Sequence, residues 1–176
     1  MRAAIICPGP SMPTETPCAD LTIAINRAAL IHRFHWWACM DLETITENPQ
    51  VDAYRLFTCK ETCKRAKKRN VQLPKTLMIA EEQAIVPSRK ALGWSLYTST
   101  SSMALAYHLG ARDIRVYGAD MNGEADWDGT LNERTARSEK RWEKERGIIR
   151  LLDDWFTRNG ATLQIVGVDQ CQTLMK

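Results

Sequence analysis

Apolar residues along this chain fall in short runs rather than long stripes. Ala3–Cys7 (AAIIC), Leu21–Ile25 (LTIAI), Trp36–Met40 (WWACM) and Ile114–Tyr117 (IRVY) are nearly continuous. Runs of this length, bounded by turn-forming residues, read as strands covered on both faces, the mark of a parallel sheet. Arg55–Cys59, Leu77–Ile79 and Thr162–Val166 are further strand candidates.

Between them the spacing predicts helices near Arg27–Ile31, Leu42–Thr46, Glu61–Lys68, Ser101–Leu109 and Glu133–Arg158. Ser99, Thr100 and Ser101 offer N-caps for the fourth, and Gly110 offers its C-terminal stop. The last helix is uneven. Its first half is nearly all charge, whereas Ile148, Ile149, Leu151, Leu152, Trp155 and Phe156 form an apolar stripe in its second half. Strand and helix alternating in this way predict an α/β fold in three layers, α/β/α, with a mostly parallel sheet. No repeat, linker or change of composition divides residues 1–176, and that length suits one domain.

Composition narrows the setting. Apolar residues make up 44% and charged residues 26%, as in a globular protein. No apolar run approaches the ~18 residues that a membrane-spanning helix needs. The opening MRAAIICPGP has too short an apolar core for a secretory signal, so a cytoplasmic location is expected. Cys7 and Cys39 lie in strand runs, where a thiol acts as a small hydrophobe. Cys59 and Cys63 share a helix face without two further ligands at zinc spacing, so no metal site is assigned to the cysteines.

The net charge is only +3, but Lys60, Lys64, Arg65, Lys67, Lys68, Arg69 and Lys75 concentrate positive charge in one stretch. Such a run is a solvated helix face or a patch for a polyanion, nucleic acid included.

Four segments are placed to carry chemistry, because each follows a strand or opens a helix at what should be the carboxyl edge of the sheet. In Cys7-Pro8-Gly9-Pro10-Ser11, Gly9 permits close backbone approach and Ser11 offers a hydroxyl to phosphate or ribose. Asn26 has the groups to read a base edge, and Arg27 can grip a phosphate with two donors. Ser99, Thr100 and Ser101 stand where a helix start attracts anions. Gly118-Ala119-Asp120 is followed by an acidic loop with Glu124, Asp126 and Asp128 around Trp127. Asp126 and Asp128 are spaced to hold a divalent metal bridging a nucleotide diphosphate, or form a plain acidic turn. The polar loop 121–132 suits a segment that closes over a ligand with Trp127 as its apolar anchor.

The order of these segments resembles a Rossmann-like superfamily. It includes bacterial CMP-sialic acid-dependent sialyltransferases and the 6-hydroxymethylpterin diphosphokinase-like, motility-accessory-factor proteins. The resemblance rests on Gly9-Pro10-Ser11 after the first strand, Ile23-Ala24-Ile25-Asn26, the hydroxyl-rich Ser99–Ser102, and Gly118-Ala119-Asp120 after Ile114–Tyr117. It covers residues 1–40 and 95–122, and the chain is also similar to phage-encoded proteins. It implies nucleotide contact through Gly9, Ser11, Asn26, Ser99, Thr100 and Ser101. The sialyltransferases use a histidine base beyond the Gly-x-Asp strand, whereas His32, His35 and His108 all lie earlier here. The base is then either replaced by a carboxylate, Asp120, Asp126 or Asp128, or absent.

The leading expectation is therefore a glycosyltransferase-like transferase that binds a nucleotide-sugar donor, with Arg134 and Arg137 offsetting phosphate charge. Its rivals are a non-catalytic nucleotide or nucleic-acid binder and a magnesium-dependent diphosphokinase.

Overall fold

A computed structural model describes residues 1–81, 97–121, 126–130 and 139–167. The strands are β1 (Arg2–Ile6), β2 (Leu21–Ile25), β3 (Trp36–Ala38), β4 (Arg55–Thr58), β5 (Thr76–Ile79), β6 (Asp113–Tyr117) and β7 (Thr162–Val166). They form one seven-stranded sheet in the order β5-β4-β3-β2-β1-β6-β7. Every neighbouring pair is parallel, with Ala3 beside Leu21 on one flank of β1 and Ile114 on the other. The expected α/β architecture with a parallel sheet is the one observed.

The apolar runs alternate between two cores. Ala3, Ile5, Ile23 and Val116 pack on one face against Met103 and Leu105 of α3 (Thr98–His108) and Leu152 and Phe156 of α4 (Glu139–Arg158). Ile6, Ala24, Trp37 and Leu56 pack on the other face. There they meet Ala28 and Ala29 of a 3-10 turn (Asn26–Leu30) and Ile45 of α1 (Leu42–Glu47). A further helix, α2 (Lys60–Lys68), follows β4. Strands sandwiched in this way need apolar side chains on both faces, which explains why β1 and β2 lack the alternation of a half-solvated strand.

Helix α3 is buried all round from Ser99 to Ala106, so it runs through the interior rather than over the surface. Tyr107 at its end stacks on Phe156 at 5.4 Å and meets Trp155 edge-on at 4.8 Å, tying α3 to α4. The expected capping by Ser99, Thr100 or Ser101 is not what occurs. Tyr97 holds the N-cap position and the helix begins at Thr98, which carries the hydroxyls into the first two turns. Thr100 and Ser102 donate instead to the carbonyls of Tyr97 and Thr98, at 3.3 and 2.6 Å.

Candidate functional site

The chain leaves β1 outward through β2 to β5, then returns to the other flank of β1 as β6 and β7. The β1/β6 boundary is therefore where the connections reverse direction. At such a point the loops on the carboxyl edge diverge and leave a crevice. The loops after β1, β2 and β6 meet there around a cavity of about 110 Å³. Gly9, Asn26, Ser99, Asp120, Asp126 and Glu145 all line it.

Two glycines set the geometry of the floor. The Gly9 amide donates to the Gly118 carbonyl at 3.0 Å, and the Cys7 amide donates to the Tyr117 carbonyl at 2.8 Å. A Cβ on Gly9 would lie 2.3 Å from the Gly118 oxygen, and one on Gly118 would lie 2.3 Å from the Cys7 oxygen. The close approach that Gly9 permits is thus to the β6 loop. Asp120 reinforces this join, because its Oδ2 accepts the Ser11 amide at 2.9 Å.

Asn26 directly follows β2 and sits in the left-handed region, at φ 49°. An asparagine tolerates that conformation better than most residues, but it still costs stability. Its carbonyl accepts the Trp37 indole N–H at 2.9 Å, which anchors the backbone, while the buried side-chain Oδ1 has no partner. A strained residue with an unsatisfied buried acceptor on a cavity wall is a place for a ligand's donor.

Arg27 turns away from the cavity. It grips the acidic loop, with Nη1 3.2 Å from Asp126 Oδ2 and Nη2 2.6 Å from Asp128 Oδ2. Its guanidinium lies 5.0 Å from the centre of the Trp127 ring, so Trp127 stacks on Arg27. The Trp127 amide donates to the Pro8 carbonyl at 2.9 Å, clasping this short segment onto the β1 loop. The hydrogen bonds from Arg27 hold the Asp128 carboxyl down at about 2. A carboxylate that weakly basic is a poor proton acceptor near neutral pH. Asp126, only 5% exposed, is the member of the pair that lines the cavity.

Of the sequence candidates, Gly9, Asn26, Ser99, Asp120 and Asp126 come together around one space, whereas Ser11, Arg27, Thr100, Ser101 and Asp128 stand outside its walls. The Ser11 hydroxyl is buried beside Gly167, at the end of β7. Arg134, Arg137 and Glu124 lie outside the described residues.

Glu145 is the site residue that the sequence pattern did not single out. It is 5% exposed, accepts the Ser99 hydroxyl and lines the cavity. A signal for it exists: Glu145 precedes Ile148, Ile149 and Leu152 at helical spacing, on the face that α4 buries. Arg141, Trp142 and Tyr97 add one wall, with Arg141 over both aromatic rings at 5.4 and 5.5 Å. Cys7 also lines the cavity, but burial and then the nearby Glu145 and Asp120 charges push its thiol above its ordinary range. It is therefore not an activated nucleophile.

The cavity is rich in acceptors. Asp41, Asp120, Asp126 and Glu145 face it alongside one guanidinium, Arg141. Such walls favour a ligand group that carries hydroxyl or amino donors over a bare phosphate. Among the described residues no three His, Cys, Asp or Glu side chains group closely enough to hold a metal ion. No helix of the described residues is long and apolar enough to cross a membrane. No family model, curated protein or solved structure matches the chain.

Proposed function

We propose that the protein is a glycosyltransferase-like enzyme that binds a nucleotide-sugar donor at the carboxyl ends of β1, β2 and β6. The observation that carries this reading is Asn26: a strained strand-end residue with an unpartnered buried acceptor at the point where the sheet's connections reverse. A cavity of about 110 Å³ suits one ring, a base or a sugar, with the rest of the donor lying across its mouth. Donor groups on that ring would meet Asn26 Oδ1 and the carboxylates, while Arg141 on the wall would face the phosphate. Arg134 and Arg137 are proposed for the same neutralising role.

Asp126 or Asp120 is then the base that takes the acceptor's proton, and Asp128 a positioning residue held by Arg27. A cytoplasmic location goes with this reading. The magnesium-dependent phosphoryl-transfer reading has less support, since Asp128 is committed to Arg27 rather than open to a metal.

Thermal unfolding against a panel of nucleotides and nucleotide sugars, with and without magnesium, tests the proposal. A true ligand at 100 times its Kd adds about 2.7 kcal/mol of apparent stability. Asn26→Gly should abolish that gain while the unliganded protein melts at the same temperature or higher, because glycine accepts the positive φ without strain. A panel without any stabilising nucleotide removes the proposal. Binding without transfer or hydrolysis leaves the non-catalytic reading, and strict magnesium dependence favours phosphoryl transfer.

A further inference from the structure

A second surface lies at the opposite, amino-terminal edge of the sheet. It is formed by the loops that enter β4 and β5 and by the carboxyl-terminal end of helix α2. The loops bound an open groove of about 900 Å³, with Val51 and Leu73 among its apolar walls and Tyr54, Gln72 and Lys75 on its rim. Tyr54 is 64% exposed, a large aromatic ring left in water. Val71 to Lys75 follow directly on α2, so the groove begins where that helix ends.

Helix α2 carries more basic side chains than its ion pairs among the described residues use. Arg65 and Arg69 are used internally, since both pair with Glu43 of α1. Lys64, Lys67, Lys68 and Lys75 are exposed and make no ion pair among the described residues. Exposed acids are present, Asp52 on the groove and Glu61 on α2, but lysines outnumber them. Lys64 and Lys68 stand four residues apart, about 6 Å along the helix. Like charges at that spacing repel and weaken the helix, and an anionic partner recovers the loss.

We infer that this surface binds single-stranded nucleic acid. Phosphates lie along Lys64, Lys67, Lys68 and Lys75, and a base stacks on Tyr54 at the groove. Lysines alone would suit any polyanion. An exposed ring beside an apolar groove suits one whose repeating units carry flat apolar faces, and only an unpaired strand offers those faces.

Fluorescence anisotropy with labelled dT15 and rU15 across a salt series tests the inference. The wild-type chain should bind at least one of them, with affinity falling linearly in log salt. K64E/K67E/K68E should weaken binding at least tenfold and flatten the salt slope by about 2, since each phosphate that a lysine neutralises adds about 0.7 to the slope of a single strand. Tyr54→Ala should weaken it about fivefold or more while the slope holds, since stacking is not ionic. Both variants replace exposed side chains, and circular dichroism melting checks that they fold.

Failure of the wild type to bind either oligonucleotide at low salt overturns the inference. So does an unchanged affinity in the lysine variant, a neutral Tyr54→Ala, or stronger binding to phosphatidylserine vesicles than to the oligonucleotides. Nucleotide stabilisation at the Asn26 cavity should be the same in both variants, so the two proposals stand or fall separately.

Discussion

Gly9 and Gly118 have no side chain because the β1 and β6 loops cross where one would be. Their would-be Cβ atoms fall 2.3 Å from a backbone oxygen, which cannot swing aside as a side-chain tip can. Gly118 also sits at φ +66°, a conformation that a Cβ disfavours. Gly9→Ala and Gly118→Ala should each cost at least about 2 kcal/mol, read by denaturant unfolding. A loss within error would mean that the loops part easily and do not define the cavity. Asp128 gives a second test at this scale. Its carboxyl is held at about 2 against an ordinary 3.8, chiefly by the hydrogen bond from Arg27. A depressed carboxyl contributes stability in full above its unfolded value and loses it as pH falls through the folded one. Stability should therefore decline between pH 4 and pH 2, and Asp128→Asn should flatten that part of the curve in chemical denaturation. An unaltered profile in the variant would show that the Arg27 clasp contributes nothing measurable.

Elements are the most legible level, and the exceptions have physical causes. Strands buried on both faces, such as β2, announce themselves as apolar runs, and the half-buried edge strand β7 also has the bounds that its sequence suggests. The start of α3 is hard to place because five hydroxyl residues imitate a capping segment. Burial instead makes Ser99 to Ser102 interior residues, of which Thr100 and Ser102 donate back to backbone carbonyls one turn earlier. The same burial gives neighbouring serines opposite expectations. Ser101 Oγ is buried without a partner, so Ser101→Ala removes an unsatisfied group and should leave the melting temperature unchanged or raise it. Ser99 donates to buried Glu145, and Ser99→Ala takes a donor from that carboxylate at a cost of about 1–3 kcal/mol. If both variants behave alike, the contrast between paired and orphaned hydroxyls in α3 is wrong.

At the scale of the molecule, the site is legible as an order of segments and illegible as a set of side-chain pairings. Strand ends at Gly9, Asn26 and Asp120 can be placed at one edge because parallel strands put all their carboxyl ends there. Which side chains turn inward depends on pairings between distant segments. Arg27 with Asp128 and Ser99 with Glu145 are 101 and 46 residues apart, and no local pattern reveals such partners. The topology then predicts how a ligand should be felt. The cavity rests on β1, β2 and β6, which lie inside the sheet, while β5 and β7 are its edges. Interior strands exchange their amide hydrogens only when the whole domain opens, whereas edge strands also fray locally. A ligand that binds the folded state alone suppresses global opening by its full binding linkage, and at 100 times Kd that factor is about 100. Amides of β1, β2 and β6 should therefore exchange about 100-fold more slowly with ligand, and those of β5 that open by fraying should hardly change. Hydrogen exchange read by mass spectrometry resolves the two groups. Slowing confined to β5 and its flanking loops would place the ligand in the Tyr54 groove rather than at the Asn26 cavity.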